Sequence, residues 1–293
     1  MTGHRAPEAL QLAVEQWKAA GAHQQPPSRW SPGTWQSWFP EYATFLAELP
    51  QPVSRGDVIA RCRTASEGPE EATKAFIAAM IWGYGPVGYG AYRTMRVLTE
   101  NDGAGETLAT AAAIARDQGG PAAFEWLGSR ENRLRYLGVA FATKYLFFCA
   151  AQGAGPPALV LDRLVRGWLA KTLDWSLNLE WDVADYRDYI DRMSEWAAAL
   201  DIEPGNLEML VFQLAANGDA NSLWSAPELF TSATPESISE VTDEIGDFAA
   251  AILDKLNDAA ALFAAQRGAI DPEDVADFDQ GVRQLKRIVL TNY

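Results

Sequence analysis

Apolar side chains recur at steps of three and four along most of the chain, which is the spacing of one buried face of an α-helix. Strictly alternating runs, which would predict β-strands, are almost absent, and no internal repeat is visible. The aromatic rings from Trp30 to Phe45 also follow the helical period, so we expect one helix after Ser31-Pro32, and another after Ser54. We therefore predict an all-α protein, with further helices at residues 9–20, 70–82, 92–99, 106–117, 122–127, 138–151, 163–172, 185–200 and 203–216.

Three stretches of different character divide the chain. Residues 1–28 are polar and end in Gln-Gln-Pro-Pro, so we expect an N-terminal tail with one short helix. We expect residues 29–225 to form the main helical domain. We expect residues 226–293, of net charge −8, to form an acidic C-terminal helical extension whose longest predicted helix has one apolar stripe. We expect the stripe to pack on the main domain or on a second copy of the chain, which would make the protein self-associate.

Composition removes several classes of function. No stretch has the roughly 20 apolar residues that a membrane span needs, and the first residues lack the apolar run of a signal peptide. We therefore expect a cytoplasmic protein without membrane contact. Two histidines, His4 and His23, and two cysteines, Cys62 and Cys149, are too few for a disulfide scaffold or for most metal sites, so we expect no metal or other cofactor.

Charge is unevenly distributed. The net charge of −15 argues against a protein that coats nucleic acid through bulk charge. Within this acidic background, residues 130–171 carry a net charge of +5. The basic residues of this island are Arg130, Arg133, Arg135, Lys144, Arg163, Arg166 and Lys171. A solvated helix face would account for such an island as well as a binding surface would.

One lysine and one aspartate stand out within the island. Lys144 lies in an otherwise apolar helix, where a buried amine is disfavoured as a cation unless it is paired, and so can become a nucleophile. Asp162 follows 18 residues later, after the apolar stretch ALVL and directly before a helix. Brought together, the two groups suit Schiff-base or carbocation-type chemistry at a sugar carbon. In the structural alternative, Lys144 extends to the surface and Asp162 only caps the helix.

The segments LGVAFATK (residues 137–144) and LVLDR (residues 159–163) resemble the catalytic segment of the helix-hairpin-helix DNA glycosylases. The similarity is greatest to the 8-oxoguanine branch and its bacterial OGG-like relatives. In that family a Lys in the hairpin's second helix attacks the sugar C1′, and an Asp stabilises the developing charge or shuttles protons. The resemblance implies that Lys144 is the nucleophile and that Asp162 is this aspartate. It also implies a helical bundle of the helix-hairpin-helix glycosylase type, followed here by the C-terminal extension.

The resemblance extends over roughly residues 30–225, because FIAAMIW (residues 76–82) resembles the helix before the DNA-wedging loop of the family. The hairpin itself departs from the family pattern. No Pro precedes Gly138, and Ala140 occupies the position of the second hairpin glycine. This departure bears on how the hairpin amides hold phosphate and on which base is recognised.

The resemblance implies double-stranded DNA containing a modified base as the partner. The Gly-rich stretch 83–90 would be the wedging loop, since flat or apolar side chains can enter the gap that an extruded base leaves. The wedge candidates are Tyr84, Pro86, Val87 and Tyr89. The phosphate-binding candidates are Arg93, Arg130, Arg133, Arg135, Arg163 and Arg166. The candidates for stacking on the extruded base are Phe141, Phe147, Phe148 and Trp168.

The sequence leaves several functions open. The excised base is either oxidised guanine or a modified pyrimidine such as glucosylated hydroxymethylcytosine in phage DNA, which would make the enzyme part of a defence system. The competing class is a non-catalytic helical interaction protein, which predicts that Lys144 is exposed or salt-bridged and that no cleft joins it to Asp162. A Schiff-base enzyme acting on a small carbonyl compound is the third option, and it predicts a small closed pocket without a basic groove.

Overall fold

The computed structural model describes residues 5–86, 89–178 and 180–217, so the predicted extension 226–293 lies outside the described residues. The described part is all-α, as predicted, and contains no β-strand apart from a single bridge between Ser28 and Val53. Its helices are α1 (Glu8–Ala19), α2 (Pro32–Trp38), α3 (Ala43–Glu48), α4 (Arg55–Cys62), α5 (Pro69–Tyr84), α6 (Tyr89–Thr99), α7 (Ala104–Asp117), α8 (Gly120–Gly128), α9 (Val139–Ala150), α10 (Arg163–Leu173), α11 (Val183–Ala199) and α12 (Pro204–Asn217).

Helices α5 and α9 lie in the middle of the bundle. Helix α5 begins with Pro69, whose missing N–H costs nothing at the first position, and its first turn carries Glu70 and Glu71 at the positive end of the helix dipole. Its residues 75–82 are all buried, and nine of the twelve residues of α9 are buried as well. Helices α4 and α7 each pack against both. Because α9 is surrounded by protein, a charged residue on it must find its partner inside the bundle.

Helix α1, which matches the short helix expected within the predicted tail 1–28, contributes to this core. Leu10, Ala13, Val14 and Trp17 are buried on one face of α1, and this helix packs against α12. The indole N–H of Trp17 also donates to the carbonyl oxygen of His23 at 2.7 Å. The apolar stripe of α1 is only two turns long, yet it is sufficient to anchor the helix.

Two predicted elements are divided differently in the structure. The single helix expected after Ser31 is interrupted at Phe39, because Pro40 lacks the N–H that would continue α2 and instead starts a 3-10 turn, Pro40–Tyr42, before α3. The predicted wedging loop at 83–90 is also shorter. Helix α5 continues through Tyr84 and is ended by Gly85 at φ +59°, and α6 begins at Tyr89.

Candidate active site

Lys144 and Asp162 form a buried ion pair. The Lys144 Nζ atom lies 3.1 Å from Asp162 Oδ2, and each residue is only 9% exposed. Lys144 projects from the middle of α9, and its aliphatic chain passes directly over Gly83 of α5. A Cβ atom at Gly83 would lie 2.9 Å from Lys144 Cδ, so the absence of a side chain there makes room for the lysine. The two residues that the sequence singled out are therefore in direct contact.

Asp162 has a second role at the start of α10. Its Oδ1 atom accepts hydrogen bonds from the backbone N–H groups of Leu164 and Val165, each at 3.1 Å, while Oδ2 faces Lys144. The carboxylate is thus both the helix cap of the structural alternative and the partner of the lysine. These three bonds fix the orientation of both carboxylate oxygens.

The extended segment 158–162 is held in place by side chains that sequence analysis did not assign to the site. The backbone N–H of Leu161 donates to Thr143 Oγ1 at 3.0 Å, and the Tyr189 hydroxyl donates to the Val160 carbonyl at 2.9 Å. The Tyr186 hydroxyl donates to the Leu159 carbonyl at 2.9 Å. Both tyrosines are also buried residues of α11. Here their hydroxyl groups supply the hydrogen bonds that an extended backbone cannot obtain from a sheet.

Phe141 lies one turn before Lys144 and stacks on Tyr84. Their ring centroids are 4.0 Å apart, and Lys144 Nζ lies 5.2 Å from the centroid of Phe141. Tyr84, a predicted wedge residue, is therefore packed on α9 rather than exposed in a loop, and burial raises the pKa of its phenol. Among the other wedge candidates, Pro86 is exposed, Tyr89 is half-buried at the start of α6, and Val87 lies outside the described residues.

A second buried ion pair lies close to the first and was missed from the sequence. Arg55 Nη2 lies 3.1 Å from Glu208 Oε2, and these residues are 7% and 1% exposed. Burial is the main cause of the raised pKa of the Glu208 carboxyl. The positive charges of Arg55 and Lys144 oppose this rise, and the negative charge of Asp162 adds to it. The two ion pairs are therefore within electrostatic reach of one another. Glu208 could have been noticed, because it is the only charge in the apolar run LEMLVFQL at residues 207–214.

Most arginines of the basic island stabilise the fold locally. Arg133 donates to the Gly128 carbonyl at 2.7 Å, Arg135 to the Glu100 carbonyl at 2.5 Å and Arg166 to the Leu177 carbonyl at 2.5 Å. Burial also lowers the pKa of Arg166. Arg93 reaches the Tyr136 carbonyl at 3.5 Å.

The basic residues of the island are exposed despite these bonds, apart from Lys144, which is buried, and Arg166, which is half-buried. Arg130 and Arg163 are exposed, and Arg163 and Lys171 line a groove of about 520 Å³ between α1, α10 and α12. Trp168, a predicted base-stacking residue, lines the same groove beside Leu12. Neither Lys144 nor Asp162 is among the residues that line this groove.

Phe148, another predicted base-stacking residue, lies one turn after Lys144 and is 2% exposed. It packs edge-on against Trp82, with ring centroids 5.1 Å apart, and also against Phe147.

Among the described residues there is no group of three or more His, Cys, Asp or Glu side chains arranged to hold a metal ion. None of the described helices is both long and apolar enough to cross a bilayer.

Comparison with known proteins identifies one family. A family model described as "Putative 8-oxoguanine DNA glycosylase OGG-like protein" matches residues 21–212, about two thirds of the chain. The matched range contains Lys144, Asp162, Arg55 and Glu208. No match was found among curated proteins or among solved structures. A salt bridge at Lys144 is also what the interaction-protein alternative predicts, so the family match, rather than the ion pair, separates the two.

Proposed function

Because the chain belongs to the family of OGG-like 8-oxoguanine DNA glycosylases, we propose that it is a bifunctional enzyme in which Lys144 displaces a damaged base and then opens the DNA strand. The buried contact between Lys144 and Asp162 carries this proposal. Desolvating two charges is costly, and an apolar pair of similar volume would stabilise the bundle at least as well. A buried lysine–carboxylate pair in a glycosylase family is therefore better explained by chemistry than by stability.

The first steps follow from the reach of the two side chains. The target base cannot be reached inside a stacked duplex, so the nucleotide is extruded, at a cost of a few kcal/mol. The Lys144 ammonium must lose a proton before it can attack, and Asp162 Oδ2 at 3.1 Å is placed to accept it. The free amine then attacks C1′ as the bond between C1′ and the base breaks, and the departing base takes the proton that Asp162 accepted.

The later steps give a covalent intermediate that can be trapped. The C1′–O4′ bond then breaks and O4′ takes a proton from the nitrogen, which leaves a protonated imine between Lys144 and C1′. Removal of a C2′ proton then expels the 3′ phosphate, which nicks the strand by β-elimination. Asp162 remains held by the N–H groups of Leu164 and Val165, so its carboxyl group keeps its position beside Lys144 throughout.

Phosphate contacts are proposed for the exposed groups around this pair. Arg163 is exposed directly next to Asp162, and Arg130 is exposed before the hairpin turn. Helix α9 begins at Gly138 without a side-chain cap, and nothing lies within 4 Å of the Cβ position of this glycine. The free N–H groups of this helix end suit a phosphate, even without the second hairpin glycine.

We take oxidised guanine as the base, in line with the description of the family. A panel of labelled duplexes treated with borohydride tests the proposal. The duplexes carry 8-oxoguanine, an abasic site, glucosylated hydroxymethylcytosine or only unmodified bases. We expect the protein to be trapped on the abasic and 8-oxoguanine duplexes and not on the unmodified one. Trapping on the glucosylated base in place of 8-oxoguanine would replace the substrate, whereas no trapping on any duplex would overturn the lysine mechanism.

A further inference from the structure

Two buried N–H groups near the Lys144–Asp162 pair have no hydrogen-bond acceptor among the described residues. They are Nε1 of Trp82 and Nε of Arg55. Trp82 is 8% exposed and Arg55 is 7% exposed, so bulk water does not compensate either group. Folded proteins pair nearly all such groups, because an unpaired buried donor loses its bonds to water without replacement. Two unpaired donors at one place indicate a position at which an acceptor binds.

The side chains of Trp82 and Arg55 pack against each other, and the arginine is held by several contacts. The Arg55 guanidinium lies over the ring of Trp82, 5.2 Å from its centroid, and over the ring of Phe147 at 5.0 Å. Its Nη2 atom donates to Glu208 at 3.1 Å and its Nη1 atom to the Gly205 carbonyl at 3.2 Å. Both terminal nitrogens are thus engaged in hydrogen bonds, whereas Nε has no hydrogen-bond partner among the described residues.

These donors are close to the reacting lysine. Trp82 directly precedes Gly83, over which Lys144 passes, and its ring packs against Phe148. Phe148 follows Lys144 by four residues on the same face of α9, where Cβ atoms lie about 5–6 Å apart. The interaction of Glu208 with both Asp162 and Lys144 places the Arg55 ion pair in the same buried cluster.

We infer that Arg55 and Trp82 recognise the extruded base, each donating its unused N–H to a carbonyl oxygen on the edge of that base. This inference rests on the proposed glycosylase function and gives the site its specificity. An oxidised purine with two carbonyl oxygens suits two neighbouring donors. A base that presents an amino group to Arg55 or Trp82 would place two hydrogen-bond donors face to face. Such a base would be rejected, because neither donor would gain an acceptor. Glu208 acts by positioning Arg55.

The sharpest test is Trp82→Phe, which removes the indole N–H and retains an aromatic ring against Phe148. Arg55→Lys is the second variant, because it keeps a positive charge opposite Glu208 and removes Nε. Two rates are compared: base release from the 8-oxoguanine duplex and imine trapping on the abasic duplex, which has no base to recognise. We expect base release to fall roughly 10- to 100-fold in each variant, with abasic trapping changed less than about 2-fold.

Trp17→Phe is the matched control. It also removes a buried indole N–H, but this one already donates to the backbone carbonyl of His23. It should leave both rates unchanged. Wild-type base release in Trp82→Phe and Arg55→Lys would overturn the inference and leave the glycosylase function intact. A parallel fall of both rates would also overturn it, since that indicates a structural role. Failure of the wild-type protein to trap even on the abasic duplex would overturn the proposed function and the inference together.

Discussion

The hydroxyl oxygen of Thr143 accepts a hydrogen bond from the backbone N–H of Leu161 at 3.0 Å. Each of these residues directly precedes one member of the Lys144–Asp162 pair, so a single buried bond ties the two chain segments together at the site. Thr143 in turn donates to the Val139 carbonyl at 2.8 Å, which anchors the connection in the first turn of α9. The distance between lysine and aspartate is therefore set by the backbone around them as well as by their own attraction.

Thr143→Val is expected to weaken this connection. Valine has nearly the same shape but no oxygen, so the buried N–H of Leu161 loses its acceptor, which costs about 1–3 kcal/mol of the free energy of unfolding. Urea unfolding measures this loss. Thr143→Ser retains the oxygen and is the control, with a clearly smaller effect. Equal stabilities of the Val and Ser variants would show that the bond contributes nothing.

Asp162 combines two functions that different substitutions separate. Asp162→Asn keeps an oxygen for the N–H groups of Leu164 and Val165, since Asn caps helices about as well as Asp. It loses the negative charge beside C1′, so base release should slow by orders of magnitude while the cap of α10 is retained. Asp162→Ala should lose the cap as well, at a further cost of about 1 kcal/mol. Single-turnover kinetics and thermal unfolding measure the two effects, and full activity of Asp162→Asn would refute the assigned role.

The long helices were predictable from the sequence, while their ends and breaks were less so. Helices α5 and α11 carry sustained apolar stripes, and the structure confirms them with shifts of a few residues at their ends. The break at Pro40 was missed because the rings on both sides keep the helical spacing. The buried face of α1 was missed because it comprises few residues in a polar stretch.

The candidate site was predictable only in part, for a physical reason. Lys144 stood out as a lone charge in an apolar helix, and Asp162 stood out by its place before α10. Arg55 gave no such indication, because it follows a Ser54 cap in a polar first turn, where an arginine is unremarkable in sequence. The island arginines such as Arg133 and Arg166 bond to carbonyls that only the folded chain brings near them. Contacts to distant backbone leave no pattern in the sequence.

Gly83 is expected to be essential for the position of Lys144. The Cβ of Gly83→Ala would lie 2.9 Å from Lys144 Cδ, so the lysine side chain or helix α5 must move from the position seen here. We expect imine trapping on an abasic duplex to fall at least about 10-fold, since a displacement of an ångström at a reacting group has effects of this size or larger. Gly33→Ala is the matched control, because Gly33 is also helical and nothing lies within 4 Å of its Cβ position. Equal trapping by the two variants would contradict the account.

The raised pKa of Glu208 predicts a pH dependence of stability. In the folded protein this carboxyl keeps its proton to a higher pH than its ordinary value of 4.5, chiefly because it is buried. Its contribution to stability is therefore full below the unfolded pKa and is lost as the pH rises through the raised folded pKa. Relative to Glu208→Gln, which cannot titrate, the wild-type protein should lose stability between about pH 4.5 and the folded pKa.

Chemical unfolding at a series of pH values measures this slope. The exchange of a carboxyl for an amide beside Arg55 shifts every value for the Gln variant by a similar amount, so the test lies in the slope and not in the offset. Glu131→Gln, at an exposed residue, controls for the general effect of removing a carboxyl group. A wild-type stability that rises with pH relative to Glu208→Gln would contradict the direction of the shift.

The identity of the nucleophile is tested most directly by mapping the reduced adduct. The protein is trapped with borohydride on an abasic duplex, the nucleic acid and the chain are digested, and mass spectrometry locates the modified lysine. We predict that the sugar remnant is attached to Nζ of Lys144, that Lys144→Gln gives no adduct, and that Lys18→Gln, at an exposed lysine of α1, gives the wild-type amount. An adduct at another amine, or undiminished trapping in Lys144→Gln, would contradict the central claim that Lys144 attacks C1′.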